Sequence, residues 1–151
     1  MKLNLCLLLS SAALISTTAV AECTAEYTAI HNIQGTGDSS PLQGQQLTTR
    51  GVITALVYPG SKAAGVMLSA TEHDADTVSS GLFVATPDTA AMYKPGQLLQ
   101  ISGTVSEVNQ LTSLTNVTRI TDCGTKTAVR PVTLKLPLAN GQNWEQFEGA
   151  W

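Results

Sequence analysis

Residues 47–58 read LTTRGVITALVY, and this stretch decides the fold class. It is rich in β-branched residues and has no apolar period of 3.6 residues, so it predicts a long β-strand rather than a helix. Gly51 lies inside the stretch, and an interior glycine often marks a β-bulge or a sharp bend at a barrel corner. Pro59-Gly60 is a turn signal that ends the strand.

Four further strands are expected, separated by turn signals or polar loops. They are residues 65–70 (GVMLSA), 81–86 (GLFVAT), 97–105 (QLLQISGTV) and 111–120. The fourth has a period of two that puts Leu99, Ile101, Gly103 and Val105 on one face. The alternation of the fifth is broken around Asn116-Val117, and residues 89–93 have the composition of a single helical turn.

Five strands, a bent first strand and a short connector between the third and fourth predict an all-β domain. The expected architecture is a five-stranded OB-fold-like Greek-key barrel over residues 46–124. A five-stranded SH3-like barrel is the alternative, and composition does not separate the two. Residues 22–45 are expected to form an irregular segment that packs across the barrel. Residues 125–151 are expected to form an extended linker or tail, with prolines bounding residues 131–137.

Residues 1–21 have the pattern of a cleavable signal peptide. Lys2 supplies the positive charge, residues 3–15 are largely apolar, and Ala19-Val20-Ala21 is an A-x-A cleavage sequence. The apolar core is shorter than the roughly 20 residues that span a bilayer, which argues against a membrane anchor. Lipidation of Cys23 would need a small residue in the place of Glu22. The mature chain is therefore expected to be secreted, periplasmic or extracellular, and free of the membrane after cleavage.

The charge of the chain argues against strong binding of nucleic acid, and its cysteine content predicts a disulfide. The formal net charge of the whole chain is −3, and it becomes −4 when Lys2 leaves with the signal peptide. Strong non-specific binding of nucleic acid relies on many cations, so binding of a polyanion should be weak or local. Cys6 also leaves with the signal peptide, so Cys23 and Cys123 are the mature cysteines. Two cysteines in an oxidising compartment usually pair, and a disulfide is expected, with two buried free thiols as the alternative.

Six short motifs follow one another along the mature chain. They are residues 30–42 (IHNIQGTGDSSPL), 51–55 (GVITA), 81–84 (GLFV), 94–97 (KPGQ), 103–107 (GTVSE) and 131–134 (PVTL). In this order and spacing they resemble the N-terminal OB-like domain of large bacterial extracellular endonucleases, over roughly residues 27–150. Residues 144–149 (WEQFEG) are similar to the segment that leads out of that domain in the family. A metal-dependent domain of the endonuclease/exonuclease/phosphatase type follows there, so the resemblance implies a truncated or fragmentary chain.

The resemblance also implies that this chain is not an enzyme by itself and needs no cofactor. The nuclease chemistry requires a divalent metal held by carboxylates and a histidine pair that positions and activates water. This chain has only His31 and His73, on separate loops and without a matching carboxylate cluster. The metal would belong to the missing nuclease domain. The implied partners are DNA, bound weakly, and the nuclease domain of the intact polypeptide.

Candidate nucleic-acid-binding residues come from the surface that OB barrels use. They bind oligonucleotides on the face of strands 2 and 3, between the loops that join strands 1–2 and 4–5. Single-strand binding combines aromatic platforms with a basic groove. The mapped residues are Tyr58, Lys62, Met67, Phe83, Asn109 and Gln110, with Arg50 and Arg119 nearby. The alternative is that Phe83 belongs to the core and the others are ordinary surface.

Two loops are candidate ligand sites. Glu72, Asp74 and Asp76 are weak candidates for a cation site, because hard divalent ions take oxygen ligands, but the loop lacks the glycine and distal glutamate of an EF-hand. Residues 35–38 (GTGD) lack the strand and helix that a phosphate-binding loop requires. A solvated loop and an irregular segment are the respective alternatives.

Three functions remain open on the sequence. The first is a secreted, noncatalytic OB-fold module resembling the accessory domain of an extracellular endonuclease. The second is a free-standing periplasmic OB-fold protein that binds a small ligand or a cation. The third is a structural domain that docks onto a nuclease domain.

Overall fold

The computed structural model describes residues 23, 26–62, 64–71, 80–125, 129, 135–140 and 144–147, which form an all-β domain with one sheet. The strands are β1 (Gln46–Val57), β2 (Gly65–Ser69), β3 (Gly81–Ala85), β4 (Gln97–Val108) and β5 (Leu111–Thr125). The helical segments are α1 (Ile30–Gln34) and 3-10 turns at Ala90–Met92 and Trp144–Phe147. The predicted signal peptide lies outside the described residues. Within the part that is described, no helix has the length and apolar character needed to cross a bilayer.

The sheet closes into a barrel. Its strands are hydrogen-bonded in the order β1-β2-β3-β5-β4, and β4 pairs with β1. All strand pairs are antiparallel except β3 with β5, which run parallel and pair only at Phe83 with Ser113 and at Val84 with Leu114. One face of each strand therefore points into the barrel and the other points outward.

Alternate residues of the strands fill the barrel interior. On β4, Leu99, Ile101 and Val105 are each 0% exposed, and Gly103 lies buried between them. The predicted alternation of this strand is confirmed. The other strand residues of the same core are Ile53, Val66, Leu68, Leu82, Val84 and Leu114.

β1 changes its partner close to Gly51. Its first part pairs with β4 and its second part with β2, and Val52 pairs with both. A Cβ at Gly51 would lie 2.8 Å from the carbonyl oxygen of Ser69, so only glycine permits this close approach of the backbones. The register with β2 shifts between Ile53 and Ala55. Gly51 therefore lies at the change of partner, and the bulge lies further along the strand.

The segment 22–45, expected to be irregular, contains α1. Ile30 and Ile33 are 1% and 0% exposed and belong to the same core as the strands. The side-chain amide of Gln34 donates a hydrogen bond to the carbonyl oxygen of Gly81, which ties α1 to β3. A helix of little more than one turn is too short to show a helical apolar period, and this is why the sequence does not predict it.

The other differences lie at the ends of elements. The β4–β5 hairpin is longer than expected, because β4 continues to Val108 and β5 to Thr125 after the clear alternation has stopped. Backbone pairing in a hairpin continues wherever both strands remain extended, whatever the side-chain pattern. The helical turn expected at 89–93 is present as a 3-10 turn. The tail, expected to be extended, contains a 3-10 turn at Trp144–Phe147, and residues 130–134 lie outside the described part.

A substitution in the β4–β5 turn is expected to stabilise the fold. Asn109 and Gln110 have φ angles of 53° and 66°, as in the type I′ turns that favour Asn-Gly. The left-handed conformation costs a residue such as glutamine roughly 1–2 kcal/mol, and glycine avoids this cost but loses about 0.5–1 kcal/mol of backbone entropy. We therefore expect Gln110→Gly to raise the free energy of unfolding by about 0.5–1 kcal/mol in urea denaturation. The control Gln46→Gly, at an exposed strand position, should lower it, and a decrease in both variants would contradict the expectation.

Candidate functional site

Outward-facing apolar side chains of β1, β2 and β3 form a continuous surface, here called the outer face. Its members are all half-buried, and they are Ala55, Val57, Met67, Phe83 and Ala85. Met67 is the direct register partner of Phe83 on one side and of Ala55 on the other. Direct partners on one face of a sheet have their side chains in contact range. The three residues therefore form a row across three strands.

Phe83 lies on the outer face and not in the barrel core. Its neighbours Leu82 and Val84 are both 0% exposed, whereas Phe83 itself is half-buried. A Cβ at Gly65 would lie 2.8 Å from two carbon atoms of the Phe83 ring. The ring therefore packs against the backbone of β2 at Gly65, and its remaining surface is open.

Two loops lie beyond the two ends of this row. Residues 58–64 join β1 to β2 and contain Tyr58, which is 53% exposed, and Lys62, which is also exposed. The exposed turn Asn109–Gln110 lies at the other end. Gln110 comes three residues, or about 10 Å of strand, before Ser113, the partner of Phe83 on β5. The structure thus brings the predicted residues of both loops to the borders of the outer face.

Arg50 is engaged elsewhere. Its guanidinium carbon lies 4.0 Å from the centre of the Tyr27 ring, a cation–π contact, and its Nη1 donates a hydrogen bond of 3.0 Å to the carbonyl oxygen of Cys23. Both partners belong to the segment that precedes α1. Arg50 therefore holds this segment against β1 and is not placed to contact a ligand on the outer face.

Arg119 also lies away from the outer face. It is exposed on β5 and pairs with Ser102, which lies four residues or about 13 Å along β4 from Ser106, the partner of Ser113. It lines a cleft beside the connector that follows β3. Among the three predicted nucleic-acid-binding cations, Arg50, Lys62 and Arg119, Lys62 is the one that borders the outer face.

The sequence matches no protein-family model and no curated protein. The resemblance to the N-terminal domain of extracellular endonucleases therefore stays a prediction that rests on the six motifs.

The disulfide between Cys23 and Cys123 is present, as predicted. The two Cα atoms lie 5.5 Å apart, and the cysteines are 100 residues apart in the sequence. The N-terminal segment is also hydrogen-bonded to β1, because Thr28 N donates to Thr48 O at 2.7 Å and Thr49 Oγ1 donates to Thr28 O at 2.8 Å. The disulfide thus joins the end of β5 to a segment that leads directly into α1.

The acidic candidates for a cation site, Glu72, Asp74 and Asp76, lie outside the described residues, as does His73. Among the residues that are described, no group of three or more His, Cys, Asp or Glu side chains could hold a metal ion. His31 lies on α1 and lines a small cavity of about 50 Å³ beside Arg50. This cavity is too small for more than a water molecule or two.

Tyr93 lies in the connector before β4, close to Asp122. Burial raises the pKa of the Tyr93 phenol, and the nearby carboxylate of Asp122 raises it further. The phenol is therefore neutral near pH 7 and adds no charge to this part of the barrel. Tyr93 packs against the core and is not part of the outer face.

Proposed function

We propose that this protein is an exported, noncatalytic OB-fold module whose outer face binds single-stranded nucleic acid weakly. The OB-fold assignment is supported by five strands in one closed sheet, by a long first strand shared between β2 and β4, and by the parallel contact of β3 with β5. A parallel contact of this kind favours the OB-fold over an SH3-like barrel.

The position of Phe83 is the observation that carries the proposal. Its ring is half-buried on the outward side of β3, beside Met67, and both lie between the 58–64 loop and the Asn109–Gln110 turn. This is the surface on which OB barrels bind oligonucleotides. Stacking of a base on an aromatic side chain contributes about 1–3 kcal/mol and tolerates any base.

The charge balance argues for weak binding and for single strands. The net charge of the chain is −3, and the cation at the border of the outer face is Lys62. Duplex binding depends mainly on the neutralisation of phosphates, and a duplex keeps its bases stacked on one another. With one or two phosphate contacts, the logarithm of the binding constant should fall with the logarithm of salt with a slope of only about −1.

The test is a titration of the mature chain with a dye-labelled oligothymidine and with a duplex of the same length, by fluorescence anisotropy at low and at physiological salt. We expect Phe83→Ala to weaken single-strand binding about tenfold, which corresponds to the loss of one stacking contact. Met92, which is 73% exposed in the 3-10 turn before β4, provides the matched control Met92→Ala, and it should bind as the unmodified chain does. Absence of single-strand binding even at low salt would exclude this function, as would equal affinities of the two variants.

Docking onto a nuclease domain is the second candidate, and exposed apolar residues of the C-terminal segment favour it. Leu136 is 69% exposed and Trp144 is 64% exposed. Contact surfaces expose more apolar area than the rest of a protein surface, and these are two of the large apolar side chains that the described residues expose. We expect the isolated mature chain to self-associate through this segment in sedimentation velocity, and the double substitution Leu136→Ser with Trp144→Ser to restore the monomer. A monomeric unmodified chain at high concentration would argue against docking.

A further inference from the structure

A cleft of about 450 Å³ lies between the connector that follows β3 and the later part of β5. Its walls are residues 85–89 on one side and residues 116–120 on the other. The volume is within the range of about 300–1,000 Å³ that is typical of small-molecule sites. Ala85, the last residue of β3, belongs to both the outer face and this cleft. The other lining residues of the cleft lie outside the outer face.

The strand pairings explain why the cleft exists. β3 and β5 separate after only two residue pairs, and the chain of β3 then turns away into the connector. β5 stays with β4, but the pairing passes directly from Thr115 to Arg119, opposite Thr104 and Ser102. Asn116, with a φ of 45°, lies in this irregularity. One wall of the cleft is thus a bulged strand, and bulges of this kind often direct side chains into a site.

Two opposite charges line the cleft without pairing. Asp88 and Arg119 are both exposed, and within the described part of the chain neither makes an ion pair or a hydrogen bond through its side chain. A ligand with a single charge would be attracted by one of them and repelled by the other. A ligand that carries both charges can satisfy both, so the cleft favours a zwitterion.

Thr86 adds an independent observation. It lines the cleft and is 5% exposed, and its Oγ1 has no hydrogen-bond partner. A buried polar group without a partner costs about 1–3 kcal/mol, so native structures rarely leave one unexplained. A hydroxyl can both donate and accept a hydrogen bond. A small displacement of the cleft wall by a bound amide would satisfy it.

We propose that this cleft binds a short peptide with free ends. Arg119 would bind the terminal carboxylate, Asp88 the terminal ammonium group, and the Thr86 hydroxyl an amide of the peptide backbone. Each residue of an extended peptide adds about 3.3–3.6 Å, so an extended tripeptide places its charged ends roughly 10 Å apart. Apolar parts of the walls would cover small side chains, and they are formed by Ala85, Pro87, Val117 and Ile120. The other lining residues, Thr89, Asn116 and Thr118, are polar.

Trialanine is the probe, and ¹⁵N-resolved NMR of the mature chain is the readout. We expect shifts of the amide signals to be concentrated in residues 85–89 and 116–120. N-acetylation or C-terminal amidation of trialanine removes one charge each and should weaken binding about tenfold, as expected for the loss of one charge-assisted hydrogen bond. Free alanine has its two charges much closer together and lacks a peptide amide, and it should bind more weakly than trialanine.

Variants connect each end of the peptide to its partner. Asp88→Asn should weaken binding of free trialanine but leave the affinity for the N-acetylated form unchanged, and Arg119→Gln should behave in the same way towards the amidated form. Thr86→Val keeps the shape of the side chain and should weaken binding of all forms while the protein stays folded. Asp38→Asn and Lys135→Gln change exposed charges outside the cleft and should have no effect.

Three results would overturn the proposal. The first is the absence of shifts at the highest soluble peptide concentration with a spectrum that shows a folded protein. The second is equal affinity for free and blocked trialanine, which would remove the role of the charges. The third is binding of free alanine as tight as that of trialanine, which would indicate an amino-acid site instead of a peptide site.

Discussion

Replacing both Cys23 and Cys123 with serine is expected to lower the free energy of unfolding by about 4 kcal/mol. The disulfide closes a loop of 100 residues, for which the chain-entropy model gives roughly 4.7 kcal/mol, and residual structure in the unfolded chain reduces this value. The bond restrains the segment that places Ile30 and Ile33 in the core. Loss of the disulfide should therefore destabilise α1 before the strands.

Urea denaturation of three forms measures this effect: the oxidised chain, the same chain reduced with dithiothreitol, and the double serine variant. The reduced chain and the serine variant should agree, because both lack the bond. Hydrogen exchange should show the largest loss of protection in the amides of α1, ahead of those of β4. A difference below about 1 kcal/mol between the oxidised chain and both other forms would contradict the expected contribution of the loop.

Gly65→Ala is the second substitution with a large expected effect, a loss of about 3 kcal/mol. The added Cβ would overlap the backbone carbonyl oxygen of Val84 and would lie 2.8 Å from two carbon atoms of the Phe83 ring. The ring can rotate away, but the carbonyl belongs to the β2–β3 pairing and cannot move without disturbing it. Overpacking at such a site typically costs 1–3 kcal/mol, and we expect the upper end because the clash involves backbone.

Gly37→Ala is the matched control for this substitution. Gly37 has no atom within 4 Å of an added Cβ, and its φ is not positive. Its stability in urea should change by less than about 0.5 kcal/mol. Gly65→Ala should also shift the ring proton signals of Phe83, which links this position to the outer face. Equal stabilities of the two alanine variants would show that β2 and β3 are further apart than the structure places them.

The sequence predicts the strands well, because the pattern of neighbouring residues along the chain is enough to specify a strand. Leu99, Ile101 and Val105 alternate with polar residues, and in an extended chain alternate residues necessarily share a face. The disulfide is predictable for a different reason: with Cys6 assigned to the predicted signal peptide, one cysteine pair remains, and it has one intramolecular way to form a bond. Both inferences need only composition and the geometry of the extended backbone.

The positions of the candidate site residues cannot be predicted from local sequence patterns in the same way. The sequence predicts that Arg50 and Arg119 lie near Phe83 on the binding surface. In the structure, Arg50 packs on Tyr27, and Arg119 lines the cleft beyond the β3–β5 contact. The direction of a surface side chain depends on which distant segment reaches it. Charge and residue type carry no information on that point.

Local patterns in the chain therefore determine that it is all-β, roughly where its strands run and which side of β4 faces inward, and the cysteine content determines which cysteines pair. The tertiary structure decides which strands become neighbours, and with them the row of Met67 and Phe83, the packing of that ring on Gly65, and the cleft between Asp88 and Arg119. The physical reason is the range of the interactions. A strand is set by the preferences of adjacent residues, whereas both binding surfaces arise where segments distant in sequence meet in the closed barrel.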